Sequence, residues 1–214
     1  MKYPIIHTMA QGSDEWIEVR RGLMTASHFK DIMAQGSGVS RTKYMKRLCM
    51  QRRQSIVQPA FKSTGPMKWG TDHEDEAIAR YELKKDCKIE RIGFVQISDW
   101  IGSSPDGLVR KPGMVEAKCP DSTTHFDYLL KKQKNPDWYD PTHKYQMQGN
   151  MWCLDRDWCD WVSYDPRFDD WKDQLIITRV PRDQAIIDSL EVECDKFRKQ
   201  AMEMLSRFPV TETF

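Results

Sequence analysis

The chain has 214 residues, 39% of them hydrophobic with eight Trp and eight Phe, enough for a folded domain that buries roughly 70% of its unfolded surface. That composition excludes a disordered chain, and no apolar run approaches the length of a membrane span. The formal net charge of +1 argues by itself for no polyanionic partner.

In chain order, the opening MKYPIIHTMA lacks the apolar stretch of a signal peptide. The six cysteines (Cys49, Cys87, Cys119, Cys153, Cys159 and Cys194) are scattered without a CxxC pair, so they predict reduced thiols in a cytoplasmic protein and argue against zinc or an iron–sulfur cluster. Ser13 and Asp14 start a helix carrying Trp16, Ile17 and Val19, which Arg20 and Arg21 close and Gly22 ends. A second short helix from Thr25 or Ser27 buries Phe29, Ile32 and Met33.

Gln35 to Ser40 reads as a Gly/Ser link into a helix over Arg41 to Gln54. Between Ile32 and Thr71 the chain has eight Lys or Arg and no acid, with Arg41, Lys43, Lys46, Arg47, Arg52 and Arg53 concentrated in that helix. Such a face can track a phosphate backbone through counterion release; equally, it can be a solvated helix face. Pro59 to Pro66 reads as a loop, with Met67 and Trp69 at its exit either anchoring it or stacking on an opened base pair. A helix over Thr71 to Lys85 and a strand over Ile89 to Ile97 follow.

The chemistry concentrates in Gly102 to Pro120, GSSPDGLVRKPGMVEAKCP. Gly113 begins a strand in which Glu116 and Lys118 alternate onto one face, while the upstream turn can bring Asp106 back beside them. Two carboxylates converging with one ammonium suit Mg²⁺ and an attacking water, which is nuclease chemistry. The competing reading is an ordinary Ser-Pro-Asp-Gly β-turn followed by a solvated salt-bridge pair. Beyond it lie a helix around Phe126 to Lys132, a helix over His143 to Trp152 and strands over Trp158 to Tyr164 and Leu175 to Val180. An amphipathic helix from Asp183 to about Arg207 carries Ile186, Ile187, Leu190, Cys194, Phe197, Ala201, Met204 and Leu205 on the stripe of a core or subunit contact.

SPDGLV followed by VEAKCP resembles the core of the phage lambda exonuclease family, the YqaJ-like viral recombinases within the PD-(D/E)XK nucleases. GSDEWIEVRRGLMTAS at 12–27, WGTDHEDEA at 69–77, YQMQGNMW at 145–152 and YDPR at 164–167 resemble the family in the same order. The resemblance implies that Asp106, Glu116 and the Ala117 carbonyl hold the metals of a two-Mg²⁺ site, with Mn²⁺ as a substitute. It implies that Lys118 positions the nucleophilic water, assisted by Glu74 and Gln146. It assigns Arg20, Ser27 and Ser104 to a terminal 5′-phosphate, in keeping with the affinity of a guanidinium and hydroxyls for that group. Arg41, Lys43, Lys46, Arg47 and Met67 are expected along the DNA. One departure stands out: Asp121 to Thr124 offers no arginine where the lambda enzyme carries one, which leaves Lys131, Lys132 or the basic helix for the downstream strand.

The expectation is an α/β, restriction-endonuclease-like fold with a central mixed β-sheet flanked by helices. Its parts would be a helical and basic segment over 1–70, a catalytic core over 71–180 and a C-terminal helix over 183–207. The resemblance implies a 5′-to-3′ exonuclease on double-stranded DNA ends, leaving 3′ overhangs for phage recombination in a bacterial host. A homotrimeric ring and a single-strand annealing protein would be its partners. A structure- or site-specific endonuclease, or a non-catalytic DNA-binding module, remain the alternatives.

Overall fold

The computed structural model describes residues 4–34, 38–54 and 65–208, without the side chains of residues 66 and 67. In chain order the elements are β1 (Ile5–His7), α1 (Asp14–Val19), β2 (Met24–Thr25), α2 (Phe29–Met33), α3 (Val39–Arg53) and α4 (Gly65–Lys85). There follow β3 (Ile89–Glu90), β4 (Phe94–Gln96), β5 (Ile101–Ser103), β6 (Gly107–Val109), β7 (Gly113–Lys118) and α5 (Ser122–Lys134). The chain continues with α6 (Lys144–Leu154), β8 (Trp158–Tyr164), β9 (Leu175–Pro181) and α7 (Gln184–Ser206).

The architecture is α/β, and the expected central mixed sheet is accompanied by a second, smaller one. The central sheet has the order β3-β6-β7-β8-β9 and is mixed, since β7 and β8 run parallel while the other pairs are antiparallel. The smaller has the order β1-β4-β5-β2. The expected strand Ile89 to Ile97 is accordingly divided between them. The break falls at Gly93: a Cβ there would lie 2.1 Å from Met9 O, so only glycine lets the chain approach the N-terminal strand and donate its N–H to His7 O at 2.9 Å.

Helix caps follow the sequence closely. Ser13 accepts from Trp16 N, Asp121 from Thr124 N and Asp183 from Ile186 N, each satisfying a donor that has no intrahelical partner. Helix α4 starts earlier than expected: Gly65 and Pro66 are already helical, and a proline in the first turn forfeits no helical hydrogen bond. Residues 59–64 of the expected loop and 35–37 of the expected link lie outside the described residues.

Alternation along β7 sets the layers. Val115 and Ala117 pack with Ala77, Ile78 and Tyr81 of α4, whereas Met114 packs with Met147 and Met151 of α6 and with Trp161. Glu116 and Lys118 therefore leave the α6 face, below which the sheet is apolar. The stripe on α7 is core: Leu190, Cys194, Phe197 and Ala201 pack with Phe29 and Ile32 of α2 and Tyr44, Met45 and Leu48 of α3. No helix among the described residues is long and apolar enough to cross a membrane.

Candidate active site

The site forms where the β6–β7 ladder stops. The last pair is Gly107 with Val115, so the edge of β7 beyond it has no strand to meet. The Asp106 carboxylate takes the place of one, its Oδ2 accepting the Ala117 N–H at 2.7 Å. In a strand the N–H and C=O of one residue point to the same side, so the Ala117 carbonyl also faces the Asp106 edge. Gly107 permits the turn's tight seating, since a Cβ there would lie 2.1 Å from Ile89 Cγ2.

Glu116 is fully buried and accepts three hydrogen bonds. Lys118 Nζ donates to Oε1 at 2.5 Å, Gln146 Nε2 donates to the same oxygen, and Asn150 Nδ2 donates to Oε2 at 2.9 Å. Across the cleft, Glu74 accepts from Arg91 Nη2 at 3.1 Å, and Arg91 also donates to Asp75 and to the Asp106 carbonyl.

The electrostatics are those of too many acids in too little water. Burial, reinforced by the charge of Asp106, pushes Glu74 up to about 7 and Glu116 up to about 8 against the partial relief from the nearby cations. Burial raises Asp106 as well. Burial alone would lower Lys118, but the charges of Glu116 and Asp106 outweigh it and raise its pKa.

Arg20, Ser27 and Ser104 share a cleft of about 170 Å³ with Glu74, Asp106 and Glu116. Ala117, Lys118 and Gln146 line the same space. Segments more than a hundred residues apart thus meet at one point. Trp16 joins the two halves: its Nε1 donates to Ser104 Oγ at 3.0 Å, and the Arg20 guanidinium lies 3.7 Å above its ring. Burial lowers Arg20 to about 10, and its Nε has no partner among the described residues, a guanidinium left short of an anion. Ser27 Oγ lies 3.3 Å from Thr25 Oγ1.

The expected basic face divides. Lys43, Lys46 and Arg47 are exposed, and Arg47 reaches His28 Nε2 at 2.7 Å close enough to Arg20 to act on its titration. Arg41 instead turns inward, 8% exposed, donating to Ile32 O and, at 3.0 Å, to Gln200 Oε1. Its geometry is that of a bridge between α2, α3 and α7, because a helix position three residues before Tyr44 shares the buried stripe. Met67 lies in α4, with its side chain outside the described atoms. Beside Pro120 the cation is Arg167 of YDPR, which reaches the Pro120 carbonyl at 3.4 Å and is held by Asp165. Lys132 is committed to Thr178 Oγ1 at 2.7 Å.

Sequence reasoning missed Arg91, Asn150 and the connecting role of Trp16. Asn150 carried a signal, standing four residues after Gln146 on the same helical face. Arg91 carried none.

Among the described residues no three His, Cys, Asp or Glu side chains group closely enough to hold a metal ion by themselves. The oxygens present nevertheless fit a hard cation that keeps several waters and needs only one or two carboxylates: Asp106 and Glu116 are desolvated and mutually repelling, and the Ala117 carbonyl faces the same edge.

Buried acids, a lysine and a buried guanidinium line one cleft at the edge of a mixed sheet, and the comparisons with known proteins point to a nuclease. The YqaJ-like viral recombinase domain matches residues 15–157. An alkaline exonuclease, LHK-Exo, from Laribacter hongkongensis is similar over 91% of this chain and 95% of its own, at 33% identity and a TM-score of 0.82. Its complex with dAMP gives 34% identity with the same coverage and TM-score. A phage related exonuclease from Haemophilus somnus 129PT, 15% identical with a TM-score of 0.67 over 90% of this chain and 99% of that one, shares the fold. No curated protein matches. The chain belongs to the YqaJ-like viral recombinase family.

Proposed function

We propose that this protein is a Mg²⁺-dependent exonuclease that degrades one strand of duplex DNA from its 5′ end and leaves a 3′ single strand. One observation carries the reading: the cleft that holds Asp106, Glu116 and Lys118 also holds Arg20, Ser27 and Ser104. An acid–lysine site alone suits any cut in a phosphodiester, whereas an adjoining buried guanidinium with hydroxyls gives a terminal phosphate somewhere to dock. The dAMP complex of LHK-Exo, a relative 34% identical, supports a deoxynucleoside monophosphate as product.

Asp106, Glu116 and the Ala117 carbonyl would hold the cation, in one or two sites, with Mn²⁺ an acceptable substitute. When bound, it supplies Lewis-acid polarisation of the phosphodiester and a water of lowered pKa. Lys118 holds the attacking water and offsets charge growing on the phosphoryl oxygens. Glu116, through its contact with Lys118, aims that ammonium. Glu74 and Gln146 hold further water or DNA atoms at the cleft. Arg20, Ser27 and Ser104 grip the 5′-phosphate, with Trp16 locking the first and last of these together. Lys43, Lys46 and Arg47 extend positive charge along the DNA. The viral recombinase family supports a role in phage recombination within the cytoplasm of a bacterial host; a homotrimeric ring and a single-strand annealing partner are part of the same proposal.

The test is digestion of linear duplex DNA, labelled at one 5′ end and with or without a 5′-phosphate, in Mg²⁺ or EDTA. Metal-dependent mononucleotide release that favours the phosphorylated end is expected. Internal fragments, or cutting of a closed circle, would make the protein an endonuclease; binding without release would leave a DNA-binding module.

A further inference from the structure

Helix α6 presents two amides to Glu116, one turn apart, and only the first is accounted for by the family resemblance. Gln146 Nε2 and Lys118 Nζ both converge on Oε1. Asn150 Nδ2, at 2.9 Å, is the one donor to Oε2 among the described residues. Without it, two donors would pull on one oxygen and the carboxylate plane would be free to swing about its last torsion, which is broad for an sp³–sp² bond.

Asn150 is also an expensive residue to place there. It is 0% exposed, and its Oδ1 has no hydrogen-bond partner among the described residues. A buried carboxamide with its acceptor unsatisfied is worse for stability than an aliphatic side chain of the same volume. Neighbouring positions of α6 carry such side chains, Met147 and Met151, both fully buried. The polar residue at 150 is explained by its donor end, not by packing.

We propose that Asn150 is a positioning residue that locks the plane of the Glu116 carboxylate and thereby sets how that carboxylate meets a divalent cation. The inference rests on the reading of Glu116 as a metal-holding group and adds a residue to it. Asn150 lies behind Glu116, away from the cleft lining, so it acts through the carboxylate and touches neither DNA nor the attacked phosphorus. Partners that orient metal ligands in this way commonly change cation affinity or activity by about 10- to 100-fold when removed.

The test compares wild type with Asn150→Ala and with Asn150→Leu, which fills the same space without a donor and serves if the alanine protein fails to fold. Mn²⁺ binding is titrated by calorimetry on the protein alone, and turnover is measured on 5′-phosphorylated duplex ends. Both variants should melt cooperatively, bind Mn²⁺ about 10- to 100-fold more weakly and lose kcat, while KM for the DNA end stays at the wild-type value. Folded variants with wild-type Mn²⁺ affinity would overturn the proposal, as would a wild-type protein that binds no Mn²⁺. A wild-type protein that binds Mn²⁺ but releases no nucleotides would sink the nuclease reading, and the Mn²⁺ comparison would still decide the role of Asn150.

Discussion

Lys118 Nζ lies 2.5 Å from Glu116 Oε1, and the two side chains leave the same face of β7 two residues apart. The contact gives the ammonium a fixed direction and gives the most buried acid of the cleft its nearest cation. Replacing Lys118 by Ala should lower the rate of mononucleotide release about 100- to 1000-fold, the range for losing one electrostatic contact to a transition state. Divalent cation binding should move the other way. With the ammonium gone, Asp106, Glu116 and Glu74 face a cation without competition, so calorimetry should find Mn²⁺ bound at least as tightly as in wild type.

The acids also make stability depend on pH. Glu74 and Glu116 stand at about 7 and about 8 in the folded chain, above the ordinary 4.5, so between those values the native state holds more protons than the unfolded one. Their contribution is complete below about pH 4.5 and is lost as pH rises through about 7 and 8. His143 runs the opposite way: burial and the charge of Lys118 lower it to about 4, so its burial costs stability only on the acid side of its usual 6.5. The melting temperature in EDTA should therefore fall from pH 6.5 to 8.5. Mg²⁺ should oppose the fall, and Glu116→Gln should flatten it.

On the proposed reading, Arg20 meets the phosphate at the 5′ end of a DNA strand. Removing a charge-assisted contact of about 1.5–3 kcal/mol corresponds to roughly 10- to 150-fold. Arg20→Ala should slow digestion of 5′-phosphorylated ends by such a factor and leave 5′-hydroxyl ends nearly unchanged. Trp16→Phe keeps a ring beneath the guanidinium but removes the donor to Ser104, and a smaller loss is expected. Equal slowing on both kinds of end would separate Arg20 from the phosphate.

The basic helix provides an internal control. Lys46 is exposed, so Lys46→Ala should reduce the slope of log affinity against log salt by about 1 if it meets a phosphate. Arg41 is buried between α2, α3 and α7. Arg41→Ala should leave the salt slope alone and lower stability by about 2 kcal/mol, or about 4–8 °C for a domain of this size. Thermal melts and binding isotherms at several salt concentrations separate the two.

Local chemistry explains which elements could be read in advance. Strand β8 is found over Trp158–Tyr164, where its alternating, aromatic-rich run placed it, and α7 begins after the Asp183 cap. The Asp106, Glu116 and Lys118 arrangement followed from a turn and a pleat, both short-range rules. The division of residues 89–97 between two sheets had no such signal, because the deciding contact is between Gly93 and a strand more than eighty residues earlier. Arg41 was misread for a related reason: a charged residue at the start of a helix looks exposed until Gln200 and the Ile32 carbonyl arrive to take its hydrogen bonds.

The sequence by itself determined the helices, the β7 motif and the presence of an acid–lysine site, since capping, alternation and turn chemistry act over a few residues. Only the tertiary structure decided that Trp16 bridges Arg20 and Ser104, that Arg91 ties Glu74 to the Asp106 turn, and that Asn150 holds the second oxygen of Glu116. Apart from Trp16 and Arg20, which stand four residues apart, those contacts join side chains that no local rule relates. They exist because desolvated polar groups must find partners wherever the fold delivers them.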